Sequence, residues 1–288
     1  MDTITHTLFG ATIYGGIDKR NDDKKTKRAL FVTAIAASQI PDIDVISSLW
    51  DTEGMYQMWH RGITHSLFMV PVWALLFFLL SMIYLKQRDI RFFYVSLIAV
   101  FVHNTSDLFN AWGTGYLEPF SATRVTFGTI PIVDFVFWLI MGVGFFSRKY
   151  WKGHRHQLYR LVGVLIVAHV AIQSAQGYAL YKKYEAEYDQ LALSASFIPW
   201  HYSIIGKQGD TVTIKDVALF TEPKVQYTIQ SAEEADLDKL FSEVPEAKTL
   251  YEWSPFIVIV DDDTQLGIYD PRFYRNGQSF LFEYIEKQ

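Results

Sequence analysis

Apolar segments of membrane-spanning length dominate the first 180 residues, and no other feature of the sequence constrains the fold as strongly. A helix needs roughly 20 predominantly apolar residues to cross the hydrocarbon core of a bilayer. Residues 4–17 predict a short first helix, and 130–147 a slightly short fifth one. Four further segments have full length, at 28–48, 63–85, 91–111 and 158–180. Because backbone groups in lipid must satisfy their own hydrogen bonds, the pattern predicts a mainly α polytopic bundle of about six helices.

Basic residues are distributed unevenly between the segments that connect these helices. Fourteen Lys and Arg residues lie in the loops 18–28, 86–91 and 148–160, whereas the alternate loops and the residues after the last helix carry four. Cytoplasmic loops of membrane proteins carry an excess of Lys and Arg. The asymmetry therefore predicts a multi-pass cell-membrane protein whose N-terminus, alternate loops and C-terminal domain lie on the extracytoplasmic side.

Composition excludes several classes of function. The formal net charge of −5 argues against a nucleic-acid-binding protein, which normally presents a basic face. The chain has no cysteine, so disulfides, thiolate metal sites and cysteine nucleophiles are excluded. Any metal must therefore be held by nitrogen and oxygen ligands.

The composition changes near residue 183, which predicts a membrane domain over 1–183 and a small soluble α+β domain with an antiparallel sheet over 184–288. The last membrane helix is expected to extend to about 190, and a capping-box pattern at Ser231 predicts a short helix ending near Val244. Asp261–Asp263 and 276–278 are interpreted as turns. Strand-like runs occur at 211–220, 224–230, 255–262, 265–270 and 279–285. The sequence identifies no protein partner for this domain.

Ionisable residues within the apolar segments concentrate at one predicted membrane face. They lie near the extracytoplasmic ends of five helices: His6, Asp42, Asp44, His60, His65, His103, Asp107 and Asp134. Such residues are costly inside a membrane and are usually functional. We therefore interpret them as one site. A proton or ion pathway would use the same residue types, but the polar residues do not continue to the opposite face.

Spacing supports convergence of these side chains on a metal. His103 and Asp107 are four residues apart and share a helix face, while Pro41 interrupts its helix beside Asp42 and Asp44. Gly62 is expected to allow a bend between His60 and His65. Histidine and aspartate ligands suit Zn²⁺, with Mn²⁺ as the alternative. The set is too large for one ion, so two or three ions are predicted, as in phosphoester hydrolases.

Six separated motifs resemble a known family. They are MDTITHTLFG, SQIPDID, HRGITHS, HNTSDLFNAWGT, PFS and IPIVDF, spread over residues 1–180. Together they resemble the YdjM/YfhP-type family of membrane-bound metal-dependent hydrolases, which is remotely similar to zinc-dependent phospholipase C and related nucleases. The resemblance implies that the eight residues of the site are metal ligands. It also implies that Asp2 is a ligand or orients His6, and that Thr64 supports the ligands from behind.

The function expected from these features is hydrolysis of a phosphoester in a phospholipid or lipid-linked substrate by metal-activated water at the outer membrane surface. Asp44, Arg61 and Arg124 are the expected catalytic residues, with the two arginines contacting a phosphate oxygen. The alternative is a non-catalytic membrane protein whose metal cluster is structural and whose outer domain binds a partner. His169, in the middle of the last membrane helix, is interpreted either as an interhelical hydrogen-bond partner or as support for the ligands.

Overall fold

The structure, a computed structural model, describes residues 1–86 and 88–287 and divides into two compact units. The first comprises 1–44 and 61–174, and the second comprises 45–60 and 175–288. About half of the chain is helical, and the strands lie in the C-terminal part. The α-helices are α1 (Thr3–Gly15), α2 (Lys24–Ala37), α3 (Tyr56–Trp59), α4 (Met69–Leu85), α5 (Arg91–Asp107), α6 (Phe135–Ser147), α7 (Arg155–Tyr184), α8 (Asp238–Glu243) and α9 (Pro245–Trp253).

Each of the six predicted apolar segments contains a helix, but two segments are broken. Helix α2 is followed by a 3₁₀ segment, Ile40–Leu49, at a bend of 51°, and the Tyr56–His65 region meets α4 at 67°. Pro41 lacks the donor that a continued helix would need. Within the described ranges, one helix, Arg155–Glu187, is by itself long and apolar enough to cross a membrane, and up to three spans result if each bent pair is one span. Spanning by all six helices remains a prediction.

Close helix packing in the first unit depends on small residues. A Cβ atom added at Gly10 of α1 would lie 2.5 Å from Ser38 Oγ and 2.8 Å from the Ala34 carbonyl oxygen. Ala34 and Ala99, on α2 and α5, are fully buried. Small residues let helix backbones approach each other in membrane proteins. The contact holds α1 against the end of α2, where the first candidate ligands lie.

The second unit contains antiparallel sheets. A four-stranded meander is formed by β1 (Gln190–Ala195), β2 (Tyr202–Gln208), β3 (Thr211–Val217) and β4 (Lys224–Gln230). A three-stranded sheet contains β5 (Val258–Asp261), β6 (Gln265–Tyr269) and β9 (Phe282–Glu286), and β7 (Tyr274–Arg275) pairs with β8 (Gln278–Ser279). The predicted turn at 276–278 is present, because Asn276 and Gly277 adopt φ angles of 52° and 81° between β7 and β8.

Three predictions for this unit were wrong or incomplete. Helix α7 and the 3₁₀ turn that continues it, Glu185–Glu187, end three residues short of the expected end near 190, and β1 and β2 were not predicted. The helix expected at Ser231 begins only at Asp238, because the Ser231 hydroxyl accepts a hydrogen bond from Ile259 N of β5 at 2.9 Å and so does not cap a helix. Its end near Val244 agrees with α8, and α9 follows at once with Pro245 in its first turn. The Asp261–Asp263 turn is present, since Asp262 Oδ1 accepts from Thr264 N at 2.7 Å.

Candidate metal centre

Four of the predicted ligands meet in the first unit and could hold a metal ion. Asp42 comes from the 3₁₀ segment after α2, His65 from the short 3₁₀ turn Ile63–His65, and His103 and Asp107 from α5. One ligand atom from each lies within 4.8 Å of all the others. The two histidines and Asp107 are fully or almost fully buried, whereas 22% of the Asp42 side chain is exposed. Solvent therefore reaches the cluster at the Asp42 side chain.

Hydrogen bonds fix which ring nitrogen of each histidine faces the centre. His103 Nδ1 lies 2.8 Å from the Ser38 carbonyl oxygen, and His65 Nδ1 lies 3.1 Å from Asp44 Oδ2. Both oxygens can only accept, and the Thr64 hydroxyl, 3.1 Å from His65 Nδ1, donates its proton to Asp44 Oδ2, so each Nδ1 is the donor. In the neutral rings, both Nε2 atoms then carry lone pairs, and these atoms are 3.1 Å apart. Two lone pairs that point at each other beside two carboxylates repel each other. A cation bound between them would remove this repulsion.

Distances between the ligand atoms fit one divalent ion. His65 Nε2 is 3.3 Å from Asp42 Oδ1 and 3.6 Å from Asp107 Oδ2, and His103 Nε2 is 3.5 Å from Asp42 Oδ1. Ligands about 2.0–2.1 Å from a tetrahedral ion lie roughly 3.3 Å from each other. Together with the 3.1 Å between the two Nε2 atoms, these distances give four of the six ligand pairs the separations that an ion of this size needs.

His6 lies next to these four residues. Its ring stacks on the ring of His103 with the centroids 3.7 Å apart, and its Nε2 lies 3.4 Å from Asp107 Oδ1. The ring is fully buried, and neither of its nitrogens has a hydrogen bond to any residue that the structure describes. Asp107 thus directs one oxygen toward His65 and the other toward His6. The Met1 amino group also contacts Asp107 Oδ1.

Asp44 lies beside His65 on the side away from the other candidate ligands' donor atoms and holds the orientation of the His65 ring. Its Oδ2 accepts from Thr64 Oγ1 at 2.6 Å and from Arg61 N at 2.9 Å, in addition to facing His65. The supporting role of Thr64 stays a prediction, and this hydrogen bond is consistent with it. Such partners fix the tautomer and orientation of a ligating ring. Asp44 is not one of the four converging ligands.

The HRGITHS loop owes its shape to Arg61 and Gly62. Arg61 has a left-handed φ of 57°, and Gly62, the expected bending residue, has φ −81° and ψ −130°, outside the helical and extended regions. Non-glycine residues rarely adopt the left-handed conformation of Arg61. Bonds on both sides hold it: Arg61 N donates to Asp44, and the Arg61 carbonyl oxygen accepts from Gly115 N at 2.7 Å and Arg124 Nη1 at 2.8 Å.

Both candidate arginines lie close to the cluster. The Arg61 guanidinium is buried, with Nε 3.2 Å from Asp107 Oδ2 and Nη1 donating to Asn110 Oδ1 at 3.1 Å. Arg124 is mostly buried in the loop after α5, and this burial lowers its pKa although Glu118 and Asp44 act in the opposite direction. Burial also raises the pKa of Glu118, against the effect of Arg124. The structure thus places Arg61 as a charge partner of a ligand and Arg124 beside the loop backbone.

Three predicted residues have other surroundings. Asp134 caps α6 by accepting from Val136 N at 2.7 Å, and its Oδ2 lies 2.9 Å from His169 Nε2. Asp2 caps α1 by accepting from Ile4 N and Thr5 N, both at 3.0 Å. His60 belongs to the second unit, where its ring stacks on Tyr56 with the centroids 5.5 Å apart. Their roles as ligands, or as support for His6, remain predictions.

Sequence comparisons find relatives of the N-terminal 180 residues. The family model described as YdjM inner membrane protein matches residues 1–180. The uncharacterized protein YfhP of Bacillus subtilis is 34% identical over 143 residues, which are 48% of this chain. The match covers 43% of YfhP, so less than half of that relative's length is spanned. No solved structure is similar to the chain at a significant level.

Proposed function

Because the chain belongs to the YdjM family of inner membrane proteins, we propose that it is a multi-pass metal-dependent hydrolase. The membrane domain is 1–183, with the metal centre and the C-terminal domain on the extracytoplasmic side. Support for this orientation comes from the three basic loops, which all connect helices at the ends remote from the cluster. The remote likeness to phospholipase C stays an expectation from the motifs.

Zn²⁺ is the proposed metal, with Mn²⁺ as the alternative, because the donor set contains imidazole and carboxylate only. Asp42, His65, His103 and Asp107 hold one ion. A second ion is proposed between Asp107 and His6, since Asp107 directs one oxygen toward each side and both ring nitrogens of His6 lack hydrogen bonds within the described residues. A third ion would need further ligands such as His60 or Asp134.

The proposed reaction is hydrolysis of a phosphoester. A metal ion supplies a water of lowered pKa and polarises a phosphoryl oxygen. The chain's own residues orient the ligands: Asp44 holds the His65 ring, and the Ser38 carbonyl holds the His103 ring. Arg61 and Arg124 add positive charge beside Asp107 and the HRGITHS loop, which favours a substrate that carries negative charge.

A lipid or lipid-linked substrate is supported by apolar side chains next to the ligands. Ile43, between Asp42 and Asp44, is 45% exposed, and Ile63, two residues before His65, is 48% exposed. The rings of Phe68 and Phe120 meet edge to face with their centroids 4.6 Å apart, and 76% of Phe120 is exposed. Exposed apolar side chains at the rim of a polar site suit a substrate with an apolar tail.

The burial of the ligands favours a second candidate function, a structural metal cluster in a non-catalytic protein. Only Asp42 among the four is partly exposed. Buried metal sites contribute directly to folding. In this candidate the C-terminal domain carries the function by binding a partner.

Metal analysis and turnover of the purified full chain distinguish the two. The probes are bis(4-nitrophenyl) phosphate and phosphatidylglycerol vesicles, and the variants are His103→Ala and, as a matched control on a basic loop, His154→Ala. An enzyme binds metal and hydrolyses a probe, and His103→Ala abolishes turnover while His154→Ala does not. Bound metal without turnover, together with a melting temperature that collapses on chelation, favours the structural cluster. Protein that binds neither Zn²⁺ nor Mn²⁺ refutes both.

A further inference from the structure

A second concave site lies at the other end of the first unit. A groove of about 780 Å³ is lined by the last turns of α1, the first turns of α2, the last turns of α6 and the start of α7. Along α1 it begins near Leu8 and ends beyond Gly15, so its far end is roughly 14 Å from His6 at 1.5 Å per residue. The volume is within the range of small-ligand sites, and the groove contains no residue of the metal centre.

The walls of the groove are apolar. They include Leu8, Phe31, Trp138, Met141 and Phe145, and Phe31 and Phe145 are 44% and 46% exposed. Gly142 also lines the groove, and a Cβ atom added there would meet no atom within 4 Å. The open space beside Gly142 can therefore receive an apolar chain.

The rim of the groove is cationic. Lys19, Arg20, Lys27, Arg148 and Arg155 line it, and Asp18 is the one carboxylate among its described lining residues. Asp18 pairs with Arg20 at 2.7 Å, and Lys19 donates to the Ile17 carbonyl. Among the described residues, no carboxylate forms an ion pair with the other three cations, Lys27, Arg148 and Arg155. Lys27 lies within electrostatic range of Asp23, and the Arg148 guanidinium lies 4.0 Å from the centre of the Phe145 ring. These three cations of the rim are thus held without an ion-paired carboxylate among the described residues.

We propose that this groove binds an anionic phospholipid, with the headgroup against Lys27, Arg148 and Arg155 and an acyl chain along the wall at Gly142. An apolar wall that ends in three cations without an ion-paired carboxylate matches the two parts of such a lipid. Basic pockets between membrane helices bind anionic headgroups. The inference uses the membrane location of the family and does not depend on hydrolase activity at the metal centre.

Native mass spectrometry of the full chain tests the headgroup site, with phosphatidylglycerol and phosphatidylcholine of identical acyl chains as probes. We expect tighter binding of phosphatidylglycerol. The double variant Lys27→Gln/Arg148→Gln should lose roughly fivefold in phosphatidylglycerol affinity for each cation removed. The control, Lys86→Gln/Arg88→Gln, removes the same charge from another basic loop and should change the affinity less than twofold. Equal binding of both lipids, or an equal loss in the control, overturns the proposal.

A second pair of variants tests the apolar wall. Gly142→Phe fills the groove, and Gly163→Phe is the matched control on α7, because a Cβ atom there also meets no atom within 4 Å and Gly163 does not line the groove. Gly142→Phe should lower phosphatidylglycerol binding at least tenfold, while Gly163→Phe retains it. Wild-type binding in Gly142→Phe shows that the lipid lies elsewhere and overturns the proposal.

Discussion

Replacing Asp44 by Asn tests whether the carboxylate orients a metal ligand. The wild-type oxygen Oδ2 accepts from Arg61 N, Thr64 Oγ1 and the Nδ1–H of His65, at 2.9, 2.6 and 3.1 Å. Asn removes the negative charge from the acceptor that holds the His65 tautomer. Loss of such a partner typically weakens metal binding 10- to 100-fold, or about 1.4–2.7 kcal/mol.

Stability measurements can separate this effect from ordinary loss of hydrogen bonds. With the ion in excess, the free energy of unfolding contains a metal-dependent part that falls by the same about 1.4–2.7 kcal/mol. The lost charge-assisted hydrogen bonds cost a further amount of about 1–3 kcal/mol that persists in a chelator. Asp44→Asn should therefore lower the melting temperature in both conditions, with a larger drop when Zn²⁺ is present.

The assay is competition for Zn²⁺ with a chromophoric chelator, combined with thermal unfolding with and without metal. Asp263→Asn is the control, because this carboxylate is exposed in the turn between β5 and β6. A Zn²⁺ affinity of Asp44→Asn within twofold of both the wild type and the control would refute the role of Asp44 in orienting His65.

Three further predictions concern capping, helix packing and a turn. Asp134→Ala should lower the free energy of unfolding by about 1–3 kcal/mol, because the α6 cap and the His169 contact are lost. A Zn²⁺ titration of this variant should show unchanged affinity if Asp134 is only a cap, and a large loss of affinity if Asp134 is a metal ligand. Gly10→Val should destabilise the first unit by about 1–3 kcal/mol by overpacking against Ser38 and Ala34. Thermal melts should show no such loss for Gly163→Val, because a Cβ atom there meets no atom within 4 Å and Val has a higher helix propensity than Gly. Gly277→Val should cost at least about 1 kcal/mol because φ at this position is 81°, and a melting temperature equal to that of wild type would contradict the left-handed turn.

The sequence predicted that the four central candidate ligands converge, because topology and spacing both constrain them. His103 and Asp107 share a face of α5 at a spacing of four residues, and the break at Pro41 brings Asp42 to the same place. Backbone contributions could not be predicted this way: the Ser38 carbonyl and the left-handed Arg61 have no side-chain signature.

The sequence did contain a signal that was given too little weight. Asp2 and Asp134 each precede an apolar helix directly, which is the pattern of an N-cap residue. In the structure both carboxylates accept from the first turn of their helix. A capping interpretation would therefore have competed with the metal-ligand interpretation at these two positions. Strand β1, with the sequence QLALSA, lacks β-branched residues and so gave no strand signal.

The interruption after α2 links two ligands that are distant in sequence. The same break that brings Asp42 forward leaves the Ser38 carbonyl oxygen outside the helical hydrogen-bond ladder, where it accepts a hydrogen bond from His103 Nδ1. Insertion or deletion of one residue between Ser38 and Asp42 would thus misplace one ligand and change the tautomer of another in a single step. We therefore expect a change in the length of this short segment to lower metal affinity more than a substitution at Gln39 or Ile40 does.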